Sequence, residues 1–224
     1  RLFTFSFAEF CAFHKIETKG LTTKAVAERK SAFFEYINDG GFPEMQNMRN
    51  KRGYVDSLIE AILQKDIARR FKIRHTESLR LIANYDDLSE LFNITDKTIR
   101  KYVLYLEQAF LVQLISKHSF KSRERIRNAK SYIIDPGLIN NREHSLAADN
   151  VGWRLENVVY VELLRRCANK FLDVYYYKPG AKSKEVDFVV CDRHRPVQLI
   201  QVSYVIDAPE TYNREVNALV SASS

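Results

Sequence analysis

Two acidic residues in the last third of the chain could carry chemistry. Glu156 lies in the segment GWRLENVVYVELLRRC, whose apolar spacing predicts a helix, and Asp187 lies in the strand-like run EVDFVV. Mg²⁺ takes hard oxygen ligands, usually one or two carboxylates with water, and can activate water for attack on a phosphodiester. Glu156 and Asp187 therefore predict a magnesium site suited to phosphodiester cleavage.

The strand that follows, VQLIQVSY, supplies weaker groups for that chemistry. Gln201 is a neutral ligand, and Ser203 brings no positive charge to stabilise the charge that develops on the phosphate. Lys182 or Lys184 on the preceding turn could supply this charge, although the spacing does not require it. We therefore expect a degenerate site without hydrolytic activity. An active Mg²⁺-dependent nuclease is one alternative, and two purely structural carboxylates are another.

The elements that would position these side chains follow the order helix, three strands, helix between residues 150 and 224. The strand-like runs DVYYYK, EVDFVV and VQLIQVSY are separated by the turns PGAKSK and CDRHRP. An amphipathic helix precedes the strands, and another helix begins near Pro209. This order predicts an α/β sandwich.

The segment 76–139 has the pattern of a winged helix-turn-helix. The helical runs ESLRLIANY and DLSELFN precede a third helix, DKTIRKYVLYLEQAF, and two strand-like runs then flank a basic stretch. The third helix carries one apolar stripe, formed by Ile99, Tyr102, Val103, Leu106 and Phe110.

A winged helix predicts contacts with double-stranded DNA, because the N-terminal turn of its third helix meets base edges in the major groove. We expect Lys97, Thr98 and Lys101 near the bases and Arg100 on a phosphate. The basic stretch would neutralise further phosphates through Lys121, Arg123, Arg125 and Arg127. Alternatively, the winged helix packs against a protein, which would make the chain a protein-interaction module.

Residues 1–75 predict a helical segment. Ser6 followed by Glu9 has the spacing of a capping box at a helix N-terminus. The run RGYVDSLIEAILQKDIARR, residues 52–70, repeats apolar residues at helical spacing and predicts a long amphipathic helix. Two glycines and a proline in NDGGFPE, residues 38–44, predict a turn between helices.

Composition favours a cytoplasmic protein with an anionic partner. The 224 residues carry 35 Lys and Arg against 28 Asp and Glu, and residues 117–130 alone hold six of these basic residues and one Glu. Three scattered cysteines and five histidines without ligand spacing predict neither a disulfide framework nor a zinc site. No apolar run approaches the roughly 20 residues that cross a bilayer, so no membrane partner is expected.

Several of these motifs occur in the same order in one known family. The chain resembles the C-terminal two thirds of prokaryotic AAA-type P-loop ATPases through the runs FTFSFAEF, GGFPE, ILQKDI, DLSELFNITDKTIRKYVLYLEQAFLV, DPGL, LEN, EVDFVV and QVSY. The resemblance implies a lid segment, a winged helix and a domain of unknown function similar to restriction-endonuclease-like, PD-(D/E)xK-type folds.

The resemblance also has consequences for the site. Glu156 and Asp187 match the helix glutamate and the strand aspartate of the nuclease-like fold. Gln201 matches a second acidic position at which glutamine is an accepted variant, whereas Ser203 stands where the fold has a lysine. The resemblance therefore implies a preserved fold with a degenerate catalytic set.

The resemblance further implies a longer protein. The chain begins with Arg rather than Met and contains no GxxxxGK[ST] phosphate loop, so we expect an ATPase core that uses ATP and Mg²⁺ to precede it. We expect an α+β multidomain chain with a lid at 1–75, a winged helix at 76–139 and a nuclease-like domain at 150–224. Its function would be to bind DNA or a partner for the absent motor, in a monomer or a homo-oligomer, without a cofactor of its own.

Overall fold

The computed structural model of the chain describes residues 3–73, 96–119, 129–140, 150–180, 183–204 and 208–223. These residues form helices and small antiparallel sheets, which confirms the α+β class. The chain forms two compact units. Unit 1 comprises Arg1–Gln113 and Ile133–Asn150, and unit 2 comprises Leu114–Tyr132 and Val151–Ser224. The three-part division expected from the sequence stays a prediction.

Unit 1 begins with a series of helices: α1 (Phe7–Phe13), α2 (Thr23–Asp39), a 3₁₀ turn (Glu44–Asn47), α3 (Lys51–Ala61), a π-helix (Ile62–Ala68) and α4 (Arg69–Phe71). The predicted capping box is present at α1. Ser6 Oγ accepts a hydrogen bond from the Glu9 N–H at 3.3 Å, and Glu9 Oε2 accepts one from the Ser6 N–H at 2.7 Å. Two N–H groups at the start of the helix are thereby satisfied.

The helix predicted over residues 52–70 changes type in its middle. Its buried residues Val55, Ile59, Leu63 and Ile67 are spaced by four. A spacing of four drifts around an α-helix, which has about 3.6 residues per turn. The wider π-helical turns over Ile62–Ala68 reduce this drift, so that all four side chains reach one core.

Unit 1 also contains α5 (Asp96–Gln108) and α6 (Gly137–Asn140). The strands β1 (Val112–Ile115) and β2 (Lys130–Ile133) pair as a two-stranded sheet, in which the residues from 114 to 132 belong to unit 2. In the α5 stripe, Leu106 is buried and its predicted neighbours Ile99, Tyr102 and Val103 pack against the same core. Phe110 lies beyond the end of the helix with a φ of 63°. The other two helices of the predicted winged helix lie outside the described residues.

A buried carboxylate joins two distant turns of unit 1. Asp135 is 0% exposed, and its two oxygens accept hydrogen bonds at 2.8 Å from the N–H groups of Gly41 and Gly137. Gly40, next to this bond, has a φ of 77°, and a Cβ atom there would lie 1.8 Å from Asp135 Oδ1. The glycine is therefore required both by the backbone conformation and by the close approach of the carboxylate.

Unit 2 has the order helix, three strands, helix, as the sequence predicts. Its elements are α7 (Val151–Ala168), β3 (Leu172–Tyr177), β4 (Val186–Asp192), β5 (Arg195–Ile200) and α8 (Pro209–Ser223). The strands form an antiparallel sheet in which β4 is central. Phe188 and Val190 pack with α7, whereas Val189 and Cys191 pack with α8. Because alternate residues of a strand point to opposite faces, a helix covers each face of the sheet.

The segment after β1 extends the β3 edge of this sheet. Lys117 forms a parallel bridge with Tyr176, whose N–H donates to the Ser116 carbonyl at 3.2 Å and whose carbonyl accepts from the His118 N–H at 2.7 Å. All three cysteines are buried and free, and burial raises the pKa of each thiol. None of the described helices combines the length and apolar character needed to span a bilayer.

Candidate functional site

Three acidic side chains of unit 2 form what we term the carboxylate cluster: Glu156, Glu185 and Asp187. Glu156 lies on α7 four residues before Tyr160, whose buried ring packs beside Phe188 of β4. Residues four apart share a helix face, so Glu156 faces the sheet. Glu185 directly precedes β4, and Asp187 is the second residue of that strand. Helix α7 and the start of β4 therefore bring the three carboxylates together.

Lys130, the first residue of β2, brings a positive charge into the carboxylate cluster. Its Nζ atom lies 3.4 Å from Glu156 Oε1, pairs with Glu185 Oε1, and lies 5.3 Å from the centre of the Tyr176 ring. Burial disfavours the ammonium form, but the bond to Glu185 and the surrounding negative charges outweigh burial and raise the pKa of Lys130. Lys130 is therefore charged at neutral pH.

The Tyr132 hydroxyl is a second group bonded to Glu156. It donates to Glu156 Oε1 at 2.5 Å, and its ring, 1% exposed, packs against Tyr160 and Phe188 at centroid distances of 4.4 and 5.8 Å. Burial, followed by the charge of Glu156, raises the pKa of Tyr132. The hydroxyl therefore stays protonated and remains a donor.

Asp187 is the most deeply buried carboxylate of the cluster. Its side chain is held by a hydrogen bond from the Val202 N–H to Oδ2 at 2.8 Å, and the residue is 8% exposed. The pKa of Asp187 is raised to about 7. Burial is the main cause, and the charge of Glu156 adds to it, while the bond from Val202 partly offsets them. The Asp187 carboxyl group is therefore expected to titrate near neutral pH.

The polar groups after β5 are bonded within the protein. The Gln201 amide oxygen accepts from the Asp187 N–H at 3.3 Å, and the amide nitrogen donates to Glu215 Oε2 of α8 at 2.7 Å. Arg214 in turn binds Glu215 Oε1 at 2.6 Å. Ser203 is partly buried and supplies only a hydroxyl. Both ends of the Gln201 amide are thus engaged by its own unit.

This donor set does not fit Mg²⁺. The described residues contain no group of three or more His, Cys, Asp or Glu side chains arranged to hold a metal ion. An ammonium contacts two of the three carboxylates, and the Gln201 oxygen already accepts a hydrogen bond. A divalent ion needs several free oxygen ligands. An ammonium group thus lies beside the carboxylates at which the magnesium site was expected.

The lysine expected from the turn before β4 is not the one at the cluster. Lys184 is exposed, and Lys182 lies outside the described residues. The ammonium group comes instead from Lys130, which the sequence pattern assigned to the basic stretch 117–130. Tyr132 and Glu185 were also missed. The available signal was the alternation of Lys130 and Tyr132 on a short strand before DPGL, and the position of Glu185 two residues before Asp187.

A second candidate site is the basic face of α5. Lys97, Arg100 and Lys101 are exposed, and Thr98 is partly buried. Positions 97, 100 and 101 are three and four residues apart and therefore lie on one side of the helix. Lys101 Nζ lies 5.8 Å from the centre of the Tyr105 ring. The other expected phosphate ligands, Lys121, Arg123, Arg125 and Arg127, lie outside the described residues.

Comparison with known proteins assigns the chain to a family. The profile of a domain of unknown function, DUF8612, matches residues 30–148, just over half of the chain. The chain belongs to the DUF8612 family. A second domain of unknown function, DUF4143, matches residues 151–220 of this DUF8612 chain and so covers most of unit 2. DUF4143 is typical of proteins associated with AAA ATPases.

Two curated relatives are uncharacterized proteins. One, from Methanocaldococcus jannaschii, is 29% identical over 97% of this chain and 52% of its own length. The other, from Haemophilus influenzae, is 26% identical over 98% of this chain and 56% of its own length. The DUF8612 chain thus spans about half the length of these relatives. No solved structure is significantly similar to it.

Proposed function

We propose that this chain is the part of an AAA-type ATPase that binds DNA without cutting it. Its segment 76–139 would be a winged helix that contacts double-stranded DNA, and residues 150–224 would be a restriction-endonuclease-like domain without hydrolytic activity. The observation that carries the proposal is the carboxylate cluster itself. Its acidic groups are bonded to Lys130, Tyr132 and the Val202 N–H rather than left free for a metal ion.

The absence of hydrolysis is supported by the groups after β5. Hydrolysis of a phosphodiester needs a metal-bound or otherwise activated water and a positive charge beside the phosphate. Gln201 is held between Asp187 and Glu215, and Ser203 provides no charge. The charge of Lys130 is taken up by two carboxylates. The cluster therefore has neither a free ligand set nor a free cation for the reaction.

DNA binding is supported by α5 and by the charge of the chain. The apolar stripe of α5 packs against the core of unit 1, so the opposite side, with Lys97, Arg100 and Lys101, faces solvent. The chain carries a formal net charge of +7, which favours a polyanionic partner. Association with an ATPase core is supported by the greater length of the relatives and by the DUF4143 match.

The first test is the salt dependence of binding to a fluorescent duplex of about 20 base pairs, measured by anisotropy. We expect log K to fall linearly with log salt, because each neutralised phosphate releases bound counterions. The triple variant Lys97→Gln, Arg100→Gln, Lys101→Gln should bind more weakly, with a slope smaller by about one for each phosphate contact removed.

The matched control removes three exposed lysines elsewhere in unit 1: Lys19→Gln, Lys24→Gln and Lys30→Gln. It lowers the net charge by the same amount and should weaken binding much less. Equal losses of DNA affinity in both variants would show that only net charge matters, and would contradict α5 as the DNA interface. No binding at low salt would leave the chain as a protein-interaction module.

The second test is cleavage of supercoiled plasmid in MgCl₂ or MnCl₂, followed on agarose gels. We expect no more nicking by the wild-type protein than by Asp187→Asn. Nicking that disappears in Asp187→Asn and in Glu156→Gln would contradict the proposal, and would make the domain an active metal-dependent nuclease.

A further inference from the structure

We infer that the ammonium of Lys130 is the resident cation of the carboxylate cluster and fills the position in which a divalent ion would otherwise bind. This inference extends the proposed function, because it assigns a role to a residue outside the sequence motifs of the nuclease-like fold. It concerns only side chains of unit 2 and does not depend on whether α5 binds DNA.

Lys130 joins carboxylates from separate elements. Its Nζ atom contacts Glu156 of α7 at 3.4 Å and pairs with Glu185 before β4. It also interacts electrostatically with Asp187. One ammonium thus balances acidic groups that the chain supplies from a helix and from the start of a strand, as a bound metal ion would.

The position of the Lys130 side chain is fixed by its surroundings. The side chain is only 30% exposed, and its Nζ atom lies 5.3 Å from the centre of the Tyr176 ring. Two residues further along β2, on the same face, Tyr132 is anchored among Tyr160 and Phe188. A lysine at the surface would have none of these constraints.

Replacing Lys130 by alanine would change the charge balance of the carboxylate cluster. Loss of the ammonium would leave three neighbouring carboxylates without their main counter-charge, which is costly for partly buried groups. One or two carboxylates with water can hold a hard divalent cation, so carboxylates released from Lys130 would become available as ligands. The variant Lys130→Ala should therefore acquire a cation site that the wild-type protein lacks.

The test is a titration with MnCl₂, followed by the loss of the free Mn²⁺ signal in electron paramagnetic resonance. We expect the wild-type chain to bind Mn²⁺ no more tightly than about 1 mM, the range of a weak oxygen site. Lys130→Ala should bind at least about tenfold more tightly, because a unit charge beside the ion is removed. Lys130→Arg, which keeps the charge, should behave as the wild-type chain does.

Two controls make the result specific. Lys178→Ala removes a lysine that pairs with Glu185 Oε2 at 3.6 Å at the edge of the cluster, and it should create no comparable site. The double variant Lys130→Ala, Asp187→Asn should lose the new site again. Circular dichroism of every variant checks that the fold is kept, and the wild-type titration tests the inference even if Lys130→Ala does not fold.

Two results would overturn the inference. One is tight Mn²⁺ binding by the wild-type chain that disappears in Glu156→Gln and Asp187→Asn. The other is folded Lys130→Ala protein that binds Mn²⁺ no better than the wild type. Neither result depends on DNA. Absence of DNA binding in the anisotropy test would contradict the proposed function without affecting the role of Lys130. Tight Mn²⁺ binding by the wild-type chain without nicking would contradict the role of Lys130 without affecting the proposed function.

Discussion

Unit 1 and unit 2 each bury acidic side chains, but they satisfy them in different ways. In unit 1, Asp135 accepts hydrogen bonds from the N–H groups of Gly41 and Gly137 and is fully buried. In unit 2, Asp187 accepts one such bond from Val202 and otherwise depends on its charged neighbours. Asp135 therefore joins two turns through backbone N–H groups, whereas Asp187 lies among other charged side chains.

This difference separates buried carboxylates that have a structural role from those that are candidates for a functional site. A carboxylate whose oxygens are each bonded by a backbone N–H has a structural role, and replacing it destabilises the fold. A carboxylate with a raised pKa beside other titratable groups is a candidate for a functional site. Asp135 belongs to the first kind and Asp187 to the second, although both follow apolar strand residues in the sequence.

The largest expected effect is that of Gly40→Ala in unit 1. The added Cβ atom would lie 1.8 Å from Asp135 Oδ1 and 2.6 Å from the Gly137 nitrogen, and the φ of 77° is unfavourable for alanine. We expect a loss of about 4 kcal/mol or more in the free energy of unfolding, or no folded protein. Urea denaturation followed by circular dichroism measures it. Gly180→Ala is the control, since its Cβ would meet only Ser183 Oγ at 3.2 Å.

The next effect is that of Asp135→Asn. Asparagine has one oxygen where aspartate has two, so one of the two buried N–H groups would face an amide that cannot accept. An unsatisfied buried donor costs roughly 1–3 kcal/mol, and we expect a destabilisation of about 3 kcal/mol. The same urea series at pH 5 and pH 8 measures it. A loss below about 1 kcal/mol would show that these turns do not depend on the carboxylate.

The same substitution in unit 2, Asp187→Asn, should have the opposite sign at neutral pH. The pKa of Asp187 is raised to about 7, so the folded state holds a proton that the unfolded state releases near pH 4. The stabilisation from that proton is complete below about pH 4 and is lost as the pH rises through about 7. Asp187→Asn should therefore match the wild type near pH 4 and exceed it by at least about 2 kcal/mol at pH 8, since a rise in pKa from about 4 to about 7 corresponds to about 4 kcal/mol.

Thermal unfolding of Asp187→Asn and wild type across pH 4 to 8 makes this comparison. Asparagine keeps an oxygen that can accept from the Val202 N–H, so the bond to the strand is preserved. If the variant is less stable than the wild type at pH 8, the charged carboxylate contributes to stability and the raised pKa of Asp187 is wrong.

The smallest effect is expected for Tyr132→Phe. The substitution removes the hydroxyl that donates to Glu156 at 2.5 Å and leaves the packing against Tyr160 and Phe188 unchanged. A hydrogen bond to a charged group contributes roughly 1.5–3 kcal/mol, and we expect about 1.5 kcal/mol at this partly solvated site. Tyr160→Phe is the control, because its bond to the Leu114 carbonyl is longer, at 3.4 Å. Equal losses would contradict a special role for Tyr132.

Local patterns in the sequence predicted several elements well. The capping box of Ser6 and Glu9, the apolar stripe around Leu106 and the order helix, three strands, helix in unit 2 depend on neighbours within a few residues. Such patterns follow from helical and strand periodicity, which the sequence displays directly. The π-helix at Ile62–Ala68 was not predicted, because it depends on where residues from other segments place the core.

The composition of the site could not be predicted in the same way. Lys130 reaches Glu156 across 26 positions and Glu185 across a greater distance in the chain. Its alternation with Tyr132 indicates a short strand, but no local pattern indicates which carboxylates it meets. Asp135 likewise lies within a turn-like run and gives no sign of its bond to Gly41. Pairings of this kind depend on the folded backbone, and periodicity carries no information about them.

The bond between Gly41 and Asp135 has a consequence for how the chain acquires its structure. It joins residues 94 positions apart, and the segment 114–132 between them belongs to unit 2. Unit 1 therefore cannot complete its native contacts during synthesis until the ribosome has released residues beyond Asp135. Contacts of such large sequence separation slow folding, so the turn at Gly41 acquires this bond only after the segment that carries Asp135 has been synthesised.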